Sequence, residues 1–200
     1  MSRWLAGYTK AELDGAQERY CVRFPPDLVD LFLDRRPDIG YAWEVEDNRI
    51  REMLDWPFNM LSFDVERGYW WPEWGERPST VDERREIMRA ALATKPRLIP
   101  LYAHRFLPET PGEVGNPIFS MHGFDTIYYG ANLLEYFENE FGNRYMSGLG
   151  IGAVRHIPFW SDIAERHEIA YAYYQTSDQY KKMAAMSEVA RIARLGDGTR

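Results

Sequence analysis

The chain has 200 residues, 45% hydrophobic and 15% aromatic, enough for one substantial core and too few for two generous ones. A formal charge of -7 sets the averaged field against nucleic acid and anionic membrane, and the single cysteine, Cys21, excludes an intrachain disulfide or a metal site of several thiolates. Apolar runs stay short of the roughly 18 residues of a spanning helix, and Met1–Gly15 mixes Arg3, Lys10, Glu12 and Asp14 with its apolar positions, unlike a secretory signal, so a reducing cytoplasm is the expected location.

Thr9 and Glu12 form a capping-box pair, which predicts a helix over about 10–20. Phe24-Pro25-Pro26-Asp27 breaks it and starts a second, because proline in a first helical turn loses no hydrogen bond and an early aspartate suits the positive helix end. Leu28, Leu31 and Phe32 repeat at helical spacing, and Pro37 and Gly40 stop the pattern. Tyr41, Trp43 and Val45 then alternate with Ala42 and Glu44 as in a half-buried strand. Asp47 suits the cap of a short helix carrying Ile50, Met53 and Leu54, ended at Pro57.

From Asn59 to Trp74 the alternation of Met60, Ser62 and Asp64 with Leu61, Phe63 and Val65 reads as an aromatic-rich strand pair turning near Gly68. Thr80 and Glu83 make a second capping box for a helix to about Ala93, with Ile87, Met88, Ala91 and Leu92 on one face. Three short strands, 98–103, 118–121 and 127–129, follow between prolines and glycines and suggest antiparallel sheet. Asn132 caps a helix over 133–141, and Gly142 is its natural stop. A glycine-rich stretch, 142–153, precedes a helical tail over about 161–195 with Tyr171, Tyr173, Tyr174 and Tyr180, suited to packing on the domain or pairing with a second copy as a homodimer.

Three passages resemble the SMI1/KNR4 family, also called the SUKH superfamily. They are Phe24-Pro25-Pro26-Asp27-Leu28 with Phe32 and Gly40, then Pro96-Arg97-Leu98-Ile99-Pro100-Leu101-Tyr102, and last Gly115-Asn116-Pro117-Ile118-Phe119-Ser120 with Ile127-Tyr128-Tyr129-Gly130 and the helix after it. The strings Phe63-Asp64-Val65-Glu66, Trp70-Trp71-Pro72-Glu73-Trp74-Gly75 and Ile157-Pro158-Phe159-Trp160-Ser161-Asp162 are similar to one branch of the family. The resemblance implies an α+β domain over 1–158, a mainly antiparallel sheet flanked by helices, with 159–200 as a helical C-terminal extension. It also implies no catalytic residue and no cofactor, since family members are associated with bacterial immunity proteins that neutralise toxins, often nucleases, and with fungal regulators of cell-wall synthesis.

Few side chains suggest chemistry. The histidines fall in no His-Glu-x-x-His arrangement, and a hydrolytic metal site would have to gather His104, His122, Asp125 and Asp64 across a sheet. Ser120 lacks the glycine-flanked turn of a hydrolase nucleophile, Cys21 reads as a buried, inert thiol, and no glycine-rich phosphate loop occurs. The densest signal is the stretch 70–78. Alternation would bury Trp71, Arg77 would stack on an indole, and Trp70 and Trp74 would line a groove whose rim of Asp64, Glu66, Glu73 and Glu76 suits a basic protein partner. Three readings stay open: an immunity protein covering a toxin domain, a regulatory scaffold, or a metal-dependent hydrolase.

Overall fold

The computed structural model describes residues 4–142 and 154–166. The glycine-rich stretch from 143 onward and the tail beyond 166, with the dimerisation expected of it, lie outside the described residues. Among the described residues the chain runs β1 (Trp4–Ala6), α1 (Lys10–Tyr20), α2 (Pro26–Asp34), β2 (Arg35–Pro37), α3 (Asn48–Glu66), α4 (Val81–Leu92), β3 (Leu98–Tyr102), β4 (Arg105–Pro108), β5 (Ile118–Ser120), β6 (Ile127–Gly130), α5 (Leu133–Phe141) and α6 (Trp160–Glu165). This is the α+β architecture expected. No helix among these residues is long and apolar enough to cross a membrane.

The caps read from sequence are in place. Thr9 Oγ1 accepts from Glu12 N at 3.2 Å while Glu12 Oε2 accepts from Thr9 N at 2.7 Å. Thr80 Oγ1 accepts from Glu83 N and Asn132 Oδ1 from Glu135 N. Such caps satisfy helix-end donors that would otherwise be left open, each contributing about 1 kcal/mol.

Strands β3-β4-β5-β6 form one antiparallel sheet in that order, and β1 pairs with β2 in a separate two-stranded ribbon. Both faces of the larger sheet are covered. Ile99, Leu101, Leu107 and Ile118 join α1, α2 and α5 in one core, and Leu98, Phe106, Phe119 and Tyr128 join α3, α4 and α6 in the other. Two buried faces explain why these strands read as unbroken apolar pairs rather than as alternating ones. Pro100 fits because β3 is an edge strand, where a missing N–H costs no ladder bond. Phe159, Trp160 and Ile163, just beyond the expected boundary at 158/159, are buried in the second core.

One expected strand and one expected strand pair are absent. Residues 41–45 form turns, with Trp43 N donating to Tyr41 O, although Tyr41 and Trp43 are both buried as the alternation suggested. The larger difference is α3, which runs through Pro57 and on to Glu66, so the expected strand pair over 59–74 is half helix and half loop. An interior proline costs about 3 kcal/mol. Burial of Pro57, Leu61, Asp64 and Val65, at intervals of four, three and one, follows a helical face and offsets that cost. Three strands went unread: β1, β2 and β4. All three are short, and β2 and β4 open on arginine and end on proline, without the leading apolar run that marks β5 and β6 at similar length.

The inward turn of Asp64 fixes how α3 meets the sheet. Its side chain is buried, and Oδ2 accepts the Phe124 N–H at 2.8 Å in the turn between β5 and β6. Gly123 beside it has φ +68, and a Cβ there would collide with the Asp64 carboxylate. Asp64→Ala should therefore cost about 2 kcal/mol, because it strands a buried donor. Gly123→Ala should cost a similar amount from clash and backbone strain together, again about 2 kcal/mol. The double variant should lose less than the sum, since removing the carboxylate relieves part of the clash; urea unfolding of the three variants checks this.

Candidate protein-binding face

The 67–78 segment, the C-terminal half of α3 and the 121–125 turn build one aromatic surface. Its internal post is Trp71, only 1% exposed, with its ring parallel to Phe124 at 5.9 Å and edge-on to Phe159 at 5.5 Å. The expected burial of Trp71 is thus observed. Tyr69 stacks on the other side of this cluster, 3.8 Å from Phe124, and Trp74 lies 6.2 Å from Phe159. Trp70 meets Trp74 edge-on at 5.2 Å and donates its indole N–H to Gly75 O at 2.7 Å. Tyr69, Trp70 and Trp74 each remain half-buried, so one edge is held by the core and the other faces solvent.

Helix α3 extends this surface with residues that the strand reading obscured. Trp56, Met60 and Phe63 recur at intervals of four and three, the spacing of one helix face. Trp56 donates to Met121 O at 3.0 Å, and Phe63 is 42% exposed beneath the Arg67 guanidinium, 3.6 Å from the ring centre. That helical spacing was the available signal.

Charge around the face departs from expectation. Asp64 is not on the rim but inside, committed to Phe124 N. Glu66 pairs with Arg85 at 2.5 Å and Glu73 with Arg166 at 3.3 Å, while Glu76 is exposed. With Arg67 and Arg77 nearby and Asp125 exposed in the 121–125 turn, four carboxylates face four guanidinium groups, and the predicted negative rim is in fact balanced. Arg77 does not stack on an indole either: Nη2 donates to Val65 O at 2.9 Å, satisfying a carbonyl at the end of α3. The cation over Trp71 is Arg166, at 4.8 Å.

The string 157–162 fixes the far side of the cluster. Ser161 Oγ accepts from Ile157 N and Asp162 Oδ2 from Phe159 N, both at 2.8 Å. These bonds hold Phe159 at φ +74, a conformation that side chains seldom adopt, against Trp71 and Trp160.

The residues weighed for hydrolysis do not converge. Among the described residues no three His, Cys, Asp or Glu side chains come together as a metal site requires. His122 and Asp125 are exposed in the 121–125 turn, His104 sits half-buried in the β3–β4 turn, and Asp64 is turned inward. Ser120 Oγ accepts from Arg105 at 2.9 Å, in a cluster where Arg105 also pairs with Glu140 at 3.0 Å and covers the Tyr129 ring. Cys21 is exposed rather than buried, in the left-handed position that closes α1.

Compared with protein-family models, with curated proteins and with solved structures, the chain has no match. The likeness to the SMI1/KNR4 family therefore rests on the residue strings given above.

Two measurements separate surface from support. Phe63→Ser should change stability by no more than about 0.5 kcal/mol. Trp71→Ala, which empties the post, should cost about 3–5 kcal/mol in chemical unfolding. His104 supplies a pH dependence: burial first, then Arg105 and His122, push its pKa below the ordinary value against an opposing pull from Glu140. The unfolded chain then binds the extra proton more readily, so stability should decline as pH falls through about 6.5, the ordinary histidine value. His104→Gln should flatten that decline.

Proposed function

We propose that this chain is a non-catalytic protein-binding domain of the SMI1/KNR4 type, acting in the cytoplasm as an immunity protein that covers a toxin domain. The observation that carries this reading is the aromatic face, in which half-exposed Trp56, Tyr69, Trp70 and Trp74 are packed on a buried framework and Phe63 of α3 is exposed beneath Arg67. Binding energy at protein interfaces concentrates in a few such anchors, and those held rigid before binding lose less entropy on association. The near-balanced charge makes apolar contact the main source of affinity here, with the net charge of -7 acting at longer range to steer a basic toxin such as a nuclease.

The test is co-expression with the C-terminal toxin domain of a secreted protein encoded beside this chain. Wild-type protein should restore growth and bind the toxin domain. Phe63→Asp with Trp70→Ala should weaken binding by roughly 30-fold or more and abolish rescue, with an unchanged circular dichroism spectrum. Absence of rescue and of binding at any salt concentration would sink the proposal.

A further inference from the structure

On another side of α3, a groove of about 650 Å³ opens between that helix, the C-terminal half of α4 and the approach to β3. Its floor is apolar and fixed: Pro57, Leu98 and Trp160 are buried, and the Trp160 indole N–H donates to Pro96 O at 2.6 Å. Leu54, Phe58 and Leu92 form half-buried walls. The volume is ample for several side chains of a ligand.

The mouth carries Arg89, Lys95 and Arg97, set on α4, on the turn after it and just before β3. None of the three lies within 4.0 Å of a carboxylate among the described residues, whereas Arg19, Arg36, Arg51, Arg85, Arg105 and Arg166 all do. Arg89 lies over the Phe58 ring at 5.1 Å, and Arg97 donates to the carbonyls of Tyr20 and Cys21, which leave its charge in place. Asp55 is the single carboxylate in the lining. In a chain of net charge -7, the groove is thus a local basic site around an apolar floor.

We propose that this groove docks an acidic peptide segment of a partner protein. One bulky apolar side chain sits on Pro57, Leu98 and Trp160, and flanking carboxylates pair with Arg89 and Lys95. A peptide answers the arrangement because the cations are spread over separate elements around the floor, and a segment with carboxylates on both sides of an apolar anchor reaches them together.

A displayed random-peptide library selected on the full chain tests this. Enriched sequences should carry aspartate or glutamate on both sides of a bulky apolar residue, and a labelled peptide made from them should bind more weakly as salt rises. Arg89→Glu with Lys95→Glu should reduce its affinity by about tenfold or more, and Asp55→Asn should raise it about two- to threefold. Failure to enrich, enrichment of basic or uncharged sequences, or indifference to the charge reversal would overturn the proposal. So would a dimer in sedimentation that the charge reversal dissociates, since a second copy would then be the occupant. Phe63 and Trp70 lie outside the groove, so the outcome is separable from toxin neutralisation.

Discussion

Burial of both faces of one short four-stranded sheet is the constraint on which the rest depends. Strands of three to five residues make few ladder bonds and cannot be stable alone, so each must be covered on both sides. The inner layer of α1, α2 and α5 covers one side, and α3, α4 and α6 cover the other. A layer this dependent on apolar contact explains why α3 persists through Pro57: stopping there would uncover Leu61 and Val65, each worth about 1.5–3 kcal/mol when buried.

The same constraint supplies the rigidity of the surface. Residues 67–78 have little regular structure, yet they are tied at Trp71 to the core, at Arg77 to the end of α3, and through Arg84 to α4, whose Nη1 donates to Pro78 O and Ser79 O. A loop held at three points presents Trp70 and Trp74 in fixed positions. Asp64 performs the complementary task inside, joining α3 to the turn that carries His122 and Phe124. Two different surfaces therefore share one helix: Trp56, Met60 and Phe63 on one side, Leu54 and Phe58 on another.

Much of the fold was legible because it is encoded locally. Thr9, Thr80 and Asn132 announce helix starts through side-chain bonds to nearby backbone, and Gly142 closes α5. The site was half legible. The density of tryptophan at 70–74 marked the right segment, and alternation chose Trp71 for the interior. The acidic rim was misread because sequence spacing does not say whether a carboxylate finds a backbone donor, as Asp64 does, or a guanidinium, as Glu66 and Glu73 do.

By itself the sequence determined the α+β class, the helix caps, three of the four strands of the larger sheet and the aromatic character of the 70–78 segment, since each depends on neighbours within a few residues. Tertiary structure alone decided that 59–66 is helix, that Asp64 is internal, and that Arg89, Lys95 and Arg97 gather around one groove. Those outcomes turn on contacts between residues far apart in the chain: Asp64 with Phe124, Trp56 with Met121, and Trp160 with Pro96. A local period of two and a helical period can coincide over six residues, and only burial against a distant partner separates them.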